Sequence, residues 1–300
     1  MTSAKNIKEI KHQGKTWIDI TRPTKKQLAT LQQKFKLHEA DIKAASDKIA
    51  IPKTFEHRSY LFIAMHSGEI VNHRIKYHEV DVFVSRRFIL TVHYEQLDFI
   101  DEIFADIAET DSANPVNILY EILKKVTFTS QEITDSIAAA VKNLEDELIT
   151  DQSDQTVKQI LYIRRDLIEL SSVAQPNLNV IKEITQSHLL MNSFSNHIVY
   201  FDSLVEMQEK NFTLIKHYHE LIDGITDTAN ILANYRFNDV IRVLTIASVS
   251  LMPPALIAGL LGMNFRSFLF EVPFGFFITL LFIIILEILI IQYFKYKKWL

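Results

Sequence analysis

Two apolar segments close this sequence, residues 241–261 and 272–293, and each exceeds the roughly 18 residues at which a membrane-spanning helix becomes the default reading. Between Phe274 and Ile291 only Glu287 carries a charge, and a soluble core helix seldom runs so far without more polar relief. The first segment is less pure, with Pro253, Pro254, Gly259 and several hydroxyl side chains. Such residues are tolerated in a spanning helix where neighbouring helices or a water-filled path satisfy the freed backbone. The first segment is therefore read as lining something and the second as facing lipid. Residues 264–271 suffice to turn the chain but not to build a domain, so the two segments form a hairpin. Arg236 and Arg242 precede it, and Lys295, Lys297 and Lys298 follow, while the turn holds only Arg266 against Glu271. That charge distribution predicts both termini on the cytoplasmic side.

About 240 residues precede the hairpin, enough for a sizeable core. The net charge of −4 offers no basic face for nucleic acid. No cysteine is present, which excludes disulfides and thiolate metal sites. Residues 1–14 are polar and lack the apolar stretch of a secretory signal. No glycine-rich phosphate loop and no nucleophile paired with a base appear, so the sequence is read as neither a pump nor an enzyme.

Residues 17–20 alternate as a strand and lead into a helix over 25–35, with a short second helix over 37–45. Strands are predicted over 59–65, 75–84 and 88–93, with Arg86 and Arg87 at the turn between the last two, and a helix over 98–110. The result is a mixed sheet with helices packed on it. From Pro115 the spacing becomes helical, through Ile118, Ile122, Val126, Ile133, Ile137, Val141, Leu144 and Leu148. Residues 151–154 read as the tip of a helical hairpin, whose acidic flank includes Glu145, Asp146 and Glu147, and Gln175, Pro176 and Asn177 as a further break. After residues 192–196 a third helix begins, and extended to Asn264 it would reach on the order of 90 to 100 Å. The predicted fold class is an α+β membrane protein: a cytoplasmic α/β domain over 1–114, a cytoplasmic helical region over 115–240 with the stalk of one very long pore helix, and a transmembrane hairpin over 241–300.

Several short motifs carry a family resemblance. They are Trp17, Ile18 and Asp19 on the first predicted strand, Leu37 and His38, and Thr91, Val92 and His93. Near the C-terminus come Leu244, Thr245 and Ile246, then Met252 and Pro253, Ala258 and Gly259, and Gly262, Met263, Asn264 and Phe265. The basic ending over 293–300 completes the set. In this order the sequence resembles the CorA family of magnesium channels, the Gly262, Met263, Asn264 tripeptide at the outer end of the first span being its most specific mark. The resemblance implies a homopentamer in the cell (inner or plasma) membrane. Its implied cargo is Mg2+, which also regulates it through acidic side chains between cytoplasmic domains; Co2+, Ni2+ or Zn2+ are the alternative cations. Two positions depart from the family pattern. Leu261 stands where an aromatic usually precedes the tripeptide, and Ala255 stands where a threonine commonly follows the proline matched by Pro253.

Asp227 and Asn238 are close to three helical turns apart and share one face, which continues through Ile241, Leu244 or Thr245, Ser248, Met252, Ala255 and Gly259 towards Asn264. Centred in an oligomer, that face gives polar rings at Asp227 and Asn238, constrictions at Leu244 and Met252, and an amide ring at Asn264. Magnesium sheds water reluctantly, so amide oxygens can hold the hydrated ion without stripping it. The resemblance assigns the selectivity filter to Gly262, Met263 and Asn264 and the gate to Leu244 and Met252. Each has a plainer reading: a solvated surface for Asp227 and Asn238, lipid contact for Leu244 and Met252, a helix cap for Asn264. Asp202 and Glu206, one turn apart, are the candidates for the regulatory metal. Glu271 matches the family's acidic outer loop. Lys295, Lys297 and Lys298 form either a basic collar at the pore exit or a lipid anchor. His217 and His219 lie two apart and point to different helix faces, which disfavours a shared ion. Two rivals remain within reach of the sequence. One is a zinc or cobalt/nickel transporter of the same superfamily, and the other a membrane-tethered metal sensor or scaffold.

Overall fold

The computed structural model describes residues 6–47, 51–72, 74–110, 113–150, 154–190, 198–263 and 274–299. The chain divides into two compact units, Met1–Thr226 and Asp227–Leu300.

The first unit is built on a six-stranded sheet. Its strands are β1 (Ile7–His12), β2 (Lys15–Thr21), β3 (Lys53–Glu56), β4 (Leu61–Val71), β5 (Arg74–Val84) and β6 (Phe88–His93), in the spatial order β1-β2-β6-β5-β4-β3. Only β2 and β6 run parallel, with Trp17 opposite Ile89 and Asp19 opposite Thr91; the other pairings are antiparallel. The two-residue period sorts side chains to opposite faces. Trp17, Leu61, Ile63, Val80, Val82 and Ile89 enter one core, while Ile18, Ile20, Phe62, Phe83, Leu90 and Val92 enter another. Helices cover both faces, which is why the central strands read as near-continuous apolar runs.

The second of these cores is closed by α1 (Lys25–Phe35) and α2 (Glu39–Asp47) through Leu28, Leu31 and Ala45. A capping box fixes the start of α1: Thr24 Oγ1 accepts from the Gln27 amide while the Gln27 side chain accepts from the Thr24 amide. Lys36 ends it in the left-handed conformation. The other core is closed by α3 (Asp98–Thr110), α4 (Pro115–Thr150), α5 (Asp154–Thr185) and the beginning of α6 (Ile198–Leu261). Every apolar position that spacing assigned to the α4 stripe, from Ile118 to Leu148, is buried. Gly68 on β4 lies so close to the Cδ1 of Ile133 of α4 that a Cβ there would oblige the end of that side chain to move.

One expectation needs correction, and two edge strands add to those predicted. Helix α5 does not break at residues 175–177 but runs through Pro176 to Thr185. The neighbouring Asn177 is buried and ties the helix to β4, accepting from the His66 amide at 3.3 Å and donating to the His66 carbonyl at 2.8 Å. Such tertiary bonds hold a helix across the proline's missing donor. Residues 7–12, read as plain polar sequence, form the edge strand β1, which among the described residues pairs with β2 alone. An edge strand exposes one side and shows weak alternation. Residues 53–56 likewise add β3 at the opposite edge.

Within the first unit, α6 buries Phe201, Leu204, Gln208, Asn211, Phe212, Ile215, Ile222 and Ile225 along one stripe. Asn211 donates to Ser130 Oγ at 2.9 Å and Gln208 to the Ala174 carbonyl at 3.2 Å. Burial stops after Ile225, at the boundary between the units. The second unit holds the remainder of α6, which continues through Pro253 and Pro254 to Leu261, and α7 (Gly275–Tyr296).

Candidate functional site

In the second unit both helices are apolar over more than a membrane's thickness, and the most apolar window of each is almost wholly exposed. A core helix of a soluble protein passes the same hydropathy test, but it is buried. Leu244 is 64% exposed, Met252 67% and Phe276 74%, and burying such side chains in water-free surroundings is worth roughly 1.5–3 kcal/mol each. This exposure is what a bilayer or neighbouring helices would cover.

The segment of α6 from Leu244 onward has two sides. Thr245, Ile246, Ser250, Pro253, Pro254, Ile257 and Leu261 are half-buried, whereas the other side chains up to Leu260 are exposed, with Leu244, Ser248, Met252, Ala255 and Gly259 forming one stripe among them. At 3.6 residues per turn the mean directions of these two stripes lie roughly 180° apart. On α7 half-buried positions recur at Thr279, Ile283, Leu286, Glu287 and Ile290. Near the hairpin end, Ala258, Leu261 and Gly262 of the α6 end and Gly275, Phe276, Thr279, Leu280 and Ile283 of α7 line an apolar cavity of about 330 Å³. Gly262 thus borders the seam with α7, and its amide donates to the Ala258 carbonyl at 2.9 Å. Met263 is exposed, and Asn264 and Glu271 lie outside the described residues.

The exposed stripe extends below the apolar segment. Asp227 and Asn238 lie on the same helical face and are exposed, as are two further residues of that face, Asn230 and Asn234, in a stretch where residues 233–244 are exposed all round. The spacing 227, 230, 234, 238 places one carboxylate and three amides in a ladder on one side of α6. The signal was legible as a run of short polar residues at helical intervals. In contrast, Asp202 and Glu206 are exposed on the part of α6 that belongs to the first unit, and among the described residues no group of three carboxylate or histidine side chains is placed to hold a metal. His217 is exposed and His219 half-buried.

Lys295, Lys297 and Lys298 are all exposed at the end of α7. Lys298 is left-handed (φ 57°), which turns the chain back so that the Trp299 amide donates to the Phe294 carbonyl at 2.9 Å and the two rings stack with centroids 5.8 Å apart. Glu287 is the one charge inside the apolar part of α7; its Oε1 is buried without a hydrogen-bond partner among the described residues. Carboxylates at such depth are costly and seldom without a function.

A six-stranded α/β unit, a helix of 64 residues and a second apolar helix of 22 residues define the architecture of a two-span membrane protein with a large extramembrane domain. The pattern of the family described as CorA-like Mg2+ transporter protein matches residues 12–297, and the chain belongs to that family. It is 20% identical over 293 residues to the cobalt/magnesium transport protein CorA of Methanocaldococcus jannaschii, covering 94% of this chain and 90% of that protein. The magnesium transport protein CorA of Helicobacter pylori strain J99 is 23% identical over 296 residues, covering 95% and 90%. Among solved structures, the complete CorA magnesium transporter of M. jannaschii superposes with a TM-score of 0.85 at 19% identity over 100% of both chains. The full-length CmaX protein gives 0.77 at 16% identity, over 95% of this chain and 88% of that one. These structures establish the fold.

Proposed function

We infer that this chain is a divalent-cation channel, with magnesium as its first substrate, that works as a homopentamer in the cell membrane with both termini cytoplasmic. The observation that carries the reading is one helical face of α6, which presents Asn230, Asn234, Asn238, Leu244, Ser248, Met252, Ala255 and Gly259, with Asp227 at its lower end, while Leu261 on the other side borders the seam with α7. Around a central axis those positions become rings. The carboxylate and amide rings hold a hydrated cation by hydrogen bonds to its water shell, which suits an ion that dehydrates reluctantly. The Leu244 and Met252 rings form apolar constrictions that close by expelling water. Asn264 is assigned to the outer mouth with Gly262 and Met263, on the strength of the tripeptide. A membrane potential negative inside drives a doubly charged ion inward by about 4.6 kcal/mol per 100 mV, so no covalent step or coupled energy source is required.

The same reading divides the chain into a sheet domain over 1–114, a helical region over 115–240 and the hairpin over 241–300. It gives Asp202 and Glu206 a part in feedback by Mg2+, Glu271 the outer loop, and Lys295, Lys297 and Lys298 the cytoplasmic rim. The relatives named for cobalt as well as magnesium make Co2+ the first competitor, followed by Ni2+ and Zn2+. The test is uptake of Mg2+ into liposomes holding the purified protein, with Co2+, Ni2+ and Zn2+ in parallel and Asn264→Ala as the variant. Uptake driven by the imposed potential and lost in the variant at unchanged assembly is expected. No flux of any of the four cations would leave a metal-responsive membrane scaffold as the function.

A further inference from the structure

At one end of the sheet two neighbouring turns carry arginine at their tips. The link from β3 to β4 is closed by the His57 amide donating to the Tyr60 carbonyl at 2.9 Å, with Arg58 and Ser59 at its apex. The link from β5 to β6 is closed by the Ser85 amide donating to the Phe88 carbonyl at 2.8 Å, with Arg86 and Arg87 at its apex. Leu61 pairs with Val84, and Val84 with Ile89, so the two apices emerge side by side. His188 and Leu189 complete a concavity of about 690 Å³.

The charge of this concavity runs against that of the chain. Three arginines face one carboxylate, Glu56, in a protein whose net charge is −4. Glu56 is already engaged, its Oε1 accepting from the Leu189 amide at 2.9 Å. Arg58 and Arg87 have no ion-pair partner among the described residues. The unpaired guanidinium groups of Arg58 and Arg87, on neighbouring apices, match the paired oxygens of phosphate, which such groups hold bidentately. The volume falls in the range of about 300–1,000 Å³ typical of small-molecule sites. The rings of His57 and Phe88 and the hydroxyls of Ser59 and Ser85 stand in the same lining.

The geometry points to a phosphate-binding site at this sheet end, formed by Arg58, Arg86 and Arg87, for a phosphorylated small molecule or lipid headgroup carrying at least two negative charges. It is separate from the cation path on α6 and does not rest on it. A bound phosphate bridges the two turns and the segment at residues 188–189, and stabilises the sheet domain by mass action.

The test is calorimetric titration of the full-length protein in neutral detergent with potassium pyrophosphate, in buffer free of divalent cations so that chelation contributes no signal. Pyrophosphate and ADP are expected to bind and to raise the unfolding temperature, with sulfate weaker. The double variant Arg58→Gln, Arg87→Gln is expected to bind at least about tenfold more weakly, since a hydrogen bond to a charged group is worth about 1.5–3 kcal/mol. The lysine pair at the same positions should recover part of the affinity, as a point charge without the planar fork. Both positions lie at turn apices outside the core, so an unchanged far-ultraviolet spectrum will accompany the loss. Competition of pyrophosphate by nanodiscs of anionic lipid, absent with neutral lipid, assigns the site to a headgroup; no competition assigns it to a soluble phosphate. Absence of binding to the wild type at millimolar pyrophosphate, or equal binding by the glutamine variant, overturns the proposal.

Discussion

The two units of this protein use the same apolar residue types to opposite ends. Around the sheet, Trp17, Phe62, Phe83 and Ile100 are fully buried, and a bonded polar cluster of Asp19, Thr91 and His93 is enclosed with them. Asp19 accepts from Thr91 Oγ1 at 2.5 Å and contacts His93 Nε2 at 3.1 Å, while Trp17 Nε1 donates to Thr91 Oγ1 at 3.2 Å. Along α6 beyond Asp227 and along α7, side chains just as apolar stay exposed. The first unit supplies its own interior. The second leaves its apolar side chains exposed, and in the function proposed above lipid and other copies of the chain cover them. Folding energy in the first unit and environment in the second are therefore separable by experiment.

The largest expected effect is on solubility. Withdrawing detergent should precipitate the full chain, whereas a fragment of residues 1–226 should stay in solution and unfold cooperatively on heating. Aggregation of that fragment under the same conditions would break the comparison. Next comes Trp17→Ala, which empties a fully buried site and should cost the sheet domain about 3–5 kcal/mol, while Met252→Ala should leave its unfolding temperature in place. Differential scanning calorimetry of the two variants in detergent measures both.

A smaller, pH-dependent effect follows from His93. Burial alone would lower its pKa, but the hydrogen bond and charge of Asp19, together with the Glu95 carbonyl at 2.6 Å from Nδ1, raise it above the ordinary histidine value. The folded state thus holds the proton more tightly than the unfolded chain. The resulting stability is complete below the unfolded pKa of about 6.5 and is lost as pH rises through the folded value. Asp81 acts in the same sense: burial, followed by the charge of Glu79, raises its pKa well above the usual carboxylate range. Asp19→Asn should remove the histidine contribution and flatten the fall in unfolding temperature with rising pH above neutrality; an unaltered slope would show that His93 is not charged in the fold.

The smallest predicted effect sharpens the second unit. Ala255→Thr restores a hydroxyl one turn from Met252 on the exposed stripe, and should strengthen retention of hydrated Mg2+ and shift its competition with Co2+ and Ni2+, with little change in stability. Identical inhibition curves at matched protein density would remove Ala255 from the ion path.

Much of this division was readable in the residues. The α4 stripe from Ile118 to Leu148, the strands containing Ile18, Phe62, Phe83 and Leu90, and the apolar hairpin followed from periodicity and run length, because both record burial directly. Strands β1 and β3 escaped since edge strands bury little, and the helix through Pro176 escaped since its support from Asn177 comes from a strand more than a hundred residues away in sequence. On α6 the stripe from Asp227 to Gly259 could be drawn from helical geometry alone. Which side α7 would shelter could not, because that depends on how two nearly uniform apolar helices pack. Asn230 and Asn234 fall on the same face as Asp227 and Asn238, but isolated short polar residues on an exposed helix carry no burial signal that would single them out.

The central claim is that the face of α6 opposite α7 lines the ion path, and the absence of cysteine from the sequence makes it directly measurable. Single cysteines placed at Ser248 and Ala255 on the exposed stripe, and at Ser250 and Ile257 on the half-buried one, would be treated with a charged, membrane-impermeant thiol reagent while Mg2+ flux into liposomes is followed. The account predicts modification and block at positions 248 and 255, slowed by Mg2+, and neither at 250 nor 257. Block at 250 or 257, with 248 and 255 unreactive, would contradict it.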